Sequence, residues 1–349
     1  MKKTLVALAV AALAATSANA AVVYNQDGTK LDINGSVRVL LNKSTKTRTN
    51  LGNDGSRINF SAKQDLGNGL SAQGYLRLKV NKDDASELVA DKLYAGLGYD
   101  GVGTLTLGKQ YTTADDVALG DYTYKWGGNS PLTTDGKKVA KFRSADFSGF
   151  SFGADYLVGN KEKGGEGLKQ GYGVSAFYTA NFAEDVTLNF NAGYTTQKNI
   201  LAKDALTKAE KKVKDASDIN DIIDAVKLVS NKSKSWLVAT ELTSGPVSVG
   251  VSYGQAKLNL GNIIKNEIEE DLKVKAFLVG ANYNVTDAAK VYAQYNRTTV
   301  NNDGKLNGYI LGTGYKLHEN VETFLEVARF KASEHKANNL VGVGFRVNF

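Results

Sequence analysis

Strict alternation of apolar and polar residues, repeated along most of the chain, is the feature that most constrains its fold. Between Leu70 and Val80 one parity carries Leu, Ala, Gly, Leu, Leu and Val, and the other carries Ser, Gln, Tyr, Arg and Lys. A period of two residues predicts a β-strand with one apolar face. The same pattern recurs over residues 31–41, 57–66, 93–99, 186–196, 247–255, 276–284, 291–299 and 321–330. The predicted strands are about ten residues long.

Short turns and long loops alternate as the connections between these strands. Seven are tight and rich in Gly, Asn, Asp and Ser, which supply positive φ angles or local hydrogen bonds in turns. They lie around residues 67–69, 100–101, 148–149, 183–185, 244–246, 285–287 and 318–320. Eight are longer and polar, over residues 42–56, 81–88, 112–138, 159–170, 197–234, 257–272, 300–305 and 332–339. Seven and eight connections predict sixteen antiparallel strands, with short turns at one end and long loops at the other.

A soluble β-sandwich or propeller has the same alternation, so a membrane barrel needs further support. Tyr and Phe stand at strand ends, as at Tyr99, Phe182 and Tyr283, which suits the headgroup region of a bilayer. A bundle of membrane helices is excluded because mean hydropathy is −0.28 and no later stretch approaches the ~18 apolar residues of a spanning helix. We therefore predict an all-β fold, a sixteen-stranded antiparallel transmembrane β-barrel whose closed sheet pairs every backbone group.

The two ends of the chain predict export and assembly. Residues 1–20 have a basic start, an apolar core over residues 5–15 and a small-x-small cleavage site over residues 18–20. These three regions predict a signal peptide followed by a mature barrel over residues 21–349. The last strand has an apolar parity that ends on Phe349, which we interpret as a signal for the outer-membrane assembly machinery.

Composition excludes most catalytic chemistry. The chain has no cysteine and only two histidines, so thiolate metal sites, cysteine nucleophiles and most catalytic triads are missing. His318 lies in a tight turn and His335 in the last long loop, so the strand between them puts them on opposite sides of a membrane. Neither a P-loop nor a complete, well-placed dinucleotide fingerprint occurs. We therefore expect no enzyme, no cofactor and no metal site.

The polar parity of a sixteen-stranded barrel faces water, because a barrel of this size holds an aqueous channel. On the first four strands this parity carries four basic residues: Arg38, Arg57, Arg77 and Lys92. They predict a basic wall, because a basic residue facing lipid at mid-bilayer costs about 2–4 kcal/mol. The alternative is that some of them lie near the rims and only aid solubility. Lys109 shares the parity of outward Leu105 and Leu107, so alternation alone leaves its place in this wall open.

The long connection after the fifth strand, residues 112–138, carries three carboxylates and a lysine: Asp115, Asp116, Asp121 and Lys125. Carboxylates that face a basic wall across a narrow lumen set up a transverse electric field. Such a field orders water, admits polar solutes and disfavours apolar ones.

Five segments and the terminal residue follow one another in the order of a known family: residues 23–35, 55–60, 66–70, 93–97 and 103–111, with Phe349 at the end. On these segments the chain resembles the general porins of the Gram-negative outer membrane, and it is most similar to the major porins of the Pasteurella and Haemophilus group. The resemblance implies a homotrimer of sixteen-stranded barrels, each narrowed by an inward-folded third loop. In this chain that loop is residues 112–138, and its candidate constriction residues are Asp115, Asp116, Asp121 and Lys125. The resemblance also implies passage of ions and small hydrophilic solutes without a cofactor, and a basic residue near the constriction at Lys109.

The third loop departs from the family pattern at one position. Enterobacterial relatives carry Pro-Glu-Phe-Gly-Gly in this loop, and alignment on Gly127-Gly128 puts Lys125 in the place of their glutamate. The acidic side of the constriction is therefore weaker. We expect weak ion selectivity that leans toward anions.

The remaining basic residues do not point to nucleic acid. The 43 Lys and Arg residues are spread among 36 Asp and Glu residues without a basic run or a recognition motif, although the pI is about 9.1. Pore lining and contacts with outer-membrane lipid, above all phosphorylated lipopolysaccharide, explain them more simply.

A general diffusion porin of the outer membrane is the predicted function. A substrate-specific channel and a surface adhesin or structural barrel remain the alternatives. Within the loop over residues 197–234, four apolar residues have helical spacing: Ile219, Ile222, Ile223 and Val226. They predict a helix over the pore mouth, which is either a lid, an antigenic surface or a solvated helix without a role.

Overall fold

The computed structural model describes residues 21–81, 84–159, 166–200, 207, 230–260, 271–301, 304–333 and 336–349. These residues form one antiparallel sheet of eighteen strand segments. The segments are β1 (Ala21–Gln26), β2 (Thr29–Ser44), β3 (Asn50–Asn53), β4 (Arg57–Gly67), β5 (Leu70–Asn81), β6 (Glu87–Tyr99), β7 (Gly103–Tyr111), β8 (Asp135–Ser144), β9 (Phe150–Val158), β10 (Gly167–Ala183), β11 (Val186–Ile200), β12 (Ser230–Ser244), β13 (Val247–Leu260), β14 (Leu272–Asn284), β15 (Ala289–Val300), β16 (Gly304–His318), β17 (Val321–Ala332) and β18 (Asn338–Asn348).

The eighteen segments make a closed barrel of sixteen strands, because two pairs of segments each share one strand position. On one side of β2, β1 pairs with residues 29–33 and β18 with residues 36–44, so β1 and β18 lie end to end. On the other side, β3 and β4 form a single strand position that is interrupted at residues 54–56. From β4 to β18 each strand pairs with the next in sequence. The predicted sixteen-stranded antiparallel barrel is confirmed.

The strands extend further than the alternation indicated. β10 has 17 residues and β2 has 16, because ladder pairing continues past the apolar positions into polar ends. The short segments β1 and β3 were not predicted. Asp27 and Gly28, with φ angles of 52° and 73°, form the hairpin turn from β1 to β2, and the Asp-Gly pair is the sequence signal for that turn.

Side-chain exposure identifies the two faces of the wall. On β6 and β7, Leu93, Leu97 and Leu107 are 57%, 52% and 59% exposed, whereas the alternate residues Lys92 and Thr106 are 4% and 3% exposed. Apolar residues outside and polar residues inside invert the arrangement of a soluble protein. The apolar parity is therefore the outward, lipid-facing one, and the other parity faces inward.

Among the residues that the structure describes, no helix is long and apolar enough to cross a membrane. The predicted signal peptide over residues 1–20 and the predicted helix over residues 219–226 lie outside the described residues.

Phe349 closes the junction between the two ends of the barrel. Gly35 N donates to Phe349 O at 2.8 Å, and Phe349 N donates to Gly35 O at 3.0 Å. A Cβ atom on Gly35 would lie 2.5 Å from Arg57 O and 2.6 Å from the Phe349 ring, so only glycine leaves room for the terminal aromatic side chain. Phe349 thus has a structural place in the closure, and its role as an assembly signal stays a prediction.

Candidate functional site

The connection between β7 and β8, residues 112–134, is fastened at its start to the inward face of the wall. It begins with a single 3-10 turn over Thr113–Asp116. Thr113 N and Oγ1 donate to Asp155 Oδ2 at 2.9 and 2.5 Å. Asp155 lies on the inward parity of β9 and is buried, so the chain turns against the wall as soon as β7 ends.

The middle of this 112–134 loop touches β13 and β14 through its backbone. Leu119 N donates to Ser252 Oγ at 3.0 Å, and that hydroxyl donates to Leu119 O at 2.6 Å. Gly120 lies against Gly250 and Gly280, and a Cβ atom on Gly250 would lie 2.4 Å from Gly120 Cα. The absence of side chains at all three glycines permits this approach.

A buried carboxylate holds the tip of the loop. Glu326 of β17 is 0% exposed and accepts hydrogen bonds from Tyr124 N at 2.8 Å, Lys125 N at 3.2 Å and Trp126 N at 2.8 Å. Tyr292 Oη donates a fourth hydrogen bond at 2.6 Å. Burial of a charge is costly unless the charge is hydrogen-bonded, and four donors meet that requirement here. Glu326 therefore ties three consecutive loop amides to the far end of the sequence.

Apolar side chains of the loop pack onto an apolar part of the inner wall. Trp126 is 2% exposed and lies on strands β13–β18. It belongs to a buried cluster whose other members are Ala256, Leu258, Val274, Tyr292, Ile310, Ala328, Phe330 and Leu340. A second buried cluster contains Ala114, Val117, Leu132, Phe177, Leu237 and Ala239. Full burial of a large apolar side chain contributes about 1.5–3 kcal/mol, so these clusters add to the polar anchors.

The structure brings four of the five predicted basic residues onto neighbouring strands of the inner wall. Arg38 lies on β2, Arg57 on β4, Arg77 on β5 and Lys92 on β6. Arg77 is directly opposite Lys92, and Arg38 is directly opposite Arg346 of β18. We call these five residues, Arg346 included, the basic wall.

Members of the basic wall differ in their partners. Arg77 donates to Asn59 Oδ1 at 3.0 Å and to Tyr75 Oη at 3.1 Å, with Asp91 at 3.5 Å. Lys92 Nζ lies 3.9 Å above the Tyr111 ring and 3.4 Å from Asp135. Within the described part of the chain, Arg38 and Arg57 have no carboxylate within 4.0 Å.

Lys109 stands apart from the basic wall, contrary to the position that the family resemblance implied. It pairs with outward Leu93 on β6, and its Nζ donates to Ala90 O at 2.7 Å. Its pairing with β6 keeps the register of Leu105 and Leu107, whereas the pairing of β7 with β8 shifts register at Lys109, between Gly108 and Gln110.

The predicted acidic residues have different surroundings. Asp115 and Asp116 end the 3-10 turn, and Asp116 Oδ2 lies 3.5 Å from Arg143 Nη1. Asp121 accepts hydrogen bonds from Thr123 N at 3.1 Å and Thr123 Oγ1 at 2.8 Å. All three aspartates are exposed, and only Asp121 also stabilises the local shape of the loop through these two hydrogen bonds.

Removal of water by the surrounding protein raises the pKa of Asp115 to about 6, although part of its side chain is accessible. Repulsion by the carboxylates of Asp116 and Asp135 adds to this shift, and Lys92 and Lys141 oppose it. Asp115 therefore changes its charge within the range of mildly acidic media.

Lys125 is paired with a carboxylate that the sequence analysis did not select. Its Nζ lies 2.8 Å from Asp54 Oδ1, and Asp54 Oδ2 lies 3.3 Å from Arg346 Nη2. Arg346 also donates to Tyr124 O at 3.0 Å. The predicted loop cation is thus joined to the basic wall through Asp54.

The residues that sequence reasoning missed are the anchors: Asp54, Asp155, Glu326 and Arg346. Parity alone could have found three of them, because Asp155, Glu326 and Arg346 are charged residues on the inward parity of β9, β17 and β18. Asp54 lies outside the ladder, so no periodic signal marks it.

The chain matches known proteins over most of its length. A family model described as Gram-negative porin matches residues 7–335. The chain belongs to the Gram-negative porin family. A major outer membrane protein of Pasteurella multocida strain Pm70 is 41% identical to this porin over 370 residues, with 100% of both chains covered.

Two solved structures share the fold of this porin. The trimer form of OmpT, an outer membrane protein of Vibrio cholerae, has a TM-score of 0.68 at 21% identity and covers 93% of this chain and 100% of its own. An anion-selective porin from Comamonas acidovorans has a TM-score of 0.69 at 16% identity, with 92% and 100% covered. Family, relatives and fold are those of channel proteins, so this porin is an outer-membrane β-barrel for general diffusion.

Replacement of Glu326 by Gln should loosen the loop tip. The amide keeps one acceptor oxygen but turns an NH2 group toward backbone donors, and hydrogen bonds to a charged group contribute about 1.5–3 kcal/mol each. In a Trp236→Phe background, acrylamide quenching reports Trp126 alone, because the chain has two tryptophans. We expect the quenching constant to rise about twofold or more in Glu326→Gln. The exposed turn residue Glu319, replaced by Gln, is the matched control, and equal quenching in both variants contradicts an anchoring role.

Acidification should shift the ion preference of the channel toward anions. Because the Asp115 pKa is raised to about 6, its ionised fraction falls from about 97% at pH 7.5 to about 9% at pH 5.0, which removes negative charge from the loop. Reversal potentials in a salt gradient measure this shift. Asp115→Asn should reduce it, whereas Asp146→Asn, in a tight turn, should keep it. A wild-type response in Asp115→Asn would show that another group titrates.

Proposed function

We propose that this porin passes ions and small hydrophilic solutes through a constriction between its basic wall and the 112–134 loop. The observation that carries the proposal is the attachment of the loop to inward-facing Asp155, Ser252 and Glu326. A barrel of sixteen strands is wide enough for water, and an attached loop narrows it.

The charge distribution supports weak selectivity that leans toward anions. Arg38 and Arg57 contribute positive charge to the wall, and Asp115 and Asp116 contribute negative charge to the loop. Lys125 adds a cation where related loops carry a carboxylate. Opposed charges order water across the lumen and disfavour apolar solutes, which do not replace the hydrogen bonds of displaced water. The fold is also that of a porin described as anion-selective.

We propose a homotrimer as the assembled state. The proposal is supported by the trimer form of OmpT, which has the same fold as this chain. Assembly machinery of the outer membrane is the proposed partner during biogenesis, with the terminal Phe349 as the recognised residue.

Lipopolysaccharide is the proposed lipid partner, on the outward face near the loop end of β14–β17. Five basic residues of the outward parity lie there: Lys275, Arg297, Lys305, Arg329 and Lys331. Asn307 of β16 pairs with Arg297 on β15 and with Lys331 on β17, so these two cations flank one polar residue. The Phe277, Tyr295 and Tyr309 rings follow toward the membrane, with successive centroids 6.2 and 5.1 Å apart.

A groove of ≈ 740 Å³ continues this outward face below the cations, with Tyr309, Leu311, Val327 and Arg329 in its lining. Its lining is predominantly apolar, which suits an acyl chain. Basic residues above an aromatic and apolar surface match a phosphorylated headgroup above its acyl chains.

Planar-bilayer recording of the purified protein tests the channel and the trimer. We expect stepwise openings in groups of three and, in Lys125→Glu, a reversal potential moved toward cations, because the variant replaces a loop cation by a carboxylate. Lys316→Glu makes the same charge change near a tight turn and should leave the potential nearly unchanged. Saturation by one sugar favours the substrate-specific alternative, and no conductance from folded protein favours an adhesin or structural barrel.

Replacement of Arg297, Arg329 and Lys331 by Gln should weaken lipopolysaccharide binding about tenfold or more, because each surface cation contributes about 1 kcal/mol of attraction to anionic lipid. Titration with lipopolysaccharide micelles at low salt measures the affinity. Replacement of Lys30, Lys63 and Lys316 by Gln makes an equal charge change near the turns. Equal affinities in the two triple variants, or undiminished binding of dephosphorylated lipid, contradict this surface.

A further inference from the structure

The strand position formed by β3 and β4 is interrupted at residues 54–56, and Asp54 in this break places its carboxylate beside the proposed channel. Asp54 N donates to Arg38 O at 3.0 Å, and Arg38 N donates to Ser56 Oγ at 2.9 Å. Gly55 has a φ of 78°, a conformation that glycine adopts readily. These contacts replace the missing ladder bonds of Arg38, so the break is a defined structure.

The Asp54 carboxylate joins the loop to the wall. Its side chain is 7% exposed, with Oδ1 2.8 Å from Lys125 Nζ and Oδ2 3.3 Å from Arg346 Nη2. Arg346 Nη1 also lies 3.8 Å from Glu322 Oε1. One carboxylate thus contacts one cation from each side of the proposed constriction.

This arrangement balances charge within a small volume. Lys125 and Arg346 contribute two positive charges, and Asp54 and Glu322 contribute two negative ones. Removal of the Asp54 charge leaves this group with one net positive charge. Both cations then lose the partner that they share.

We infer that Asp54 is a selectivity-determining residue, which holds the channel near neutrality by neutralising Lys125 and Arg346 together. The inference rests on the proposed channel function. The ion preference then depends on the Asp54 carboxylate in the strand break, in addition to the charged residues of the 112–134 loop and of the basic wall.

The test compares the chloride-to-potassium permeability ratio of Asp54→Asn with that of the wild type in planar bilayers. Asn keeps the size of the side chain and removes its charge. We expect the ratio to rise about twofold or more at 0.1 M salt. The difference should shrink at 1 M salt, where the Debye length is about 3 Å. Asp100→Asn, in a tight turn, is the matched control and should leave the ratio unchanged.

Two further variants separate charge from position. Asp54→Glu keeps the charge and should retain the wild-type ratio. Asp54→Asn combined with Lys125→Gln removes one charge of each sign and should return the ratio toward the wild-type value. Because loss of the Lys125 charge lowers the ratio by itself, the effect of Asp54→Asn is also measured in the Lys125→Gln background, and a smaller effect there identifies the shared charge contact as the cause.

Trp126 quenching in the Trp236→Phe background monitors the loop in every variant. An unchanged permeability ratio in a conducting Asp54→Asn channel overturns the inference. So does a changed ratio that accompanies raised quenching and persists in the double variant, because the residue then only positions the loop. Failure of the folded wild-type protein to conduct overturns the proposed function itself, which is a separate result.

Discussion

Every backbone N–H and C=O group inside a bilayer must find a partner within the protein, and the rest of this structure depends on that requirement. An open sheet has two unpaired edges, so the sheet must close. Closure is made here by three pieces of chain, because β1 and β18 together occupy the position beside β2. The reciprocal hydrogen bonds between Gly35 and Phe349 lie at the end of β18, so the terminal residue takes part in the closure.

Closure also divides the side chains into two environments. The outward parity meets lipid and remains apolar, as the exposure of Leu93 and Leu107 shows. The inward parity divides further, into the basic wall on β18 and β2–β6 and an apolar surface around Trp126 on β13–β18. The 112–134 loop covers the apolar surface, so apolar residues on the inward parity are shielded from channel water.

The loop is attached by groups that are far from it in sequence. Asp155 receives its first turn, Ser252 its middle and Glu326 its tip. Each is a single polar residue on the inward parity of a regular strand, so the regular barrel provides the anchors for the irregular loop. Asp54 differs from these three anchors, because it lies in the irregular break at residues 54–56 of the wall. It is the partner of Lys125 in the loop.

Alternation in the sequence determined the barrel, the number of its strands and the sides of Arg38, Arg57, Arg77 and Lys92, because period two is a local property that pairing preserves. Lys109 was predicted for the basic wall on the family resemblance, and it pairs instead with outward Leu93. Alternation did not identify β1, although the Asp27-Gly28 pair marks its local hairpin with β2. It also did not identify β3 or the break at residues 54–56, because these pieces are too short or too irregular to show a period of two. Only the tertiary structure decided that Glu326 binds the loop tip, 200 residues away from Trp126, and that Asp54 joins Lys125 to Arg346. Such contacts arise when the sheet closes, and no local pattern of residues encodes which inward side chains then face each other.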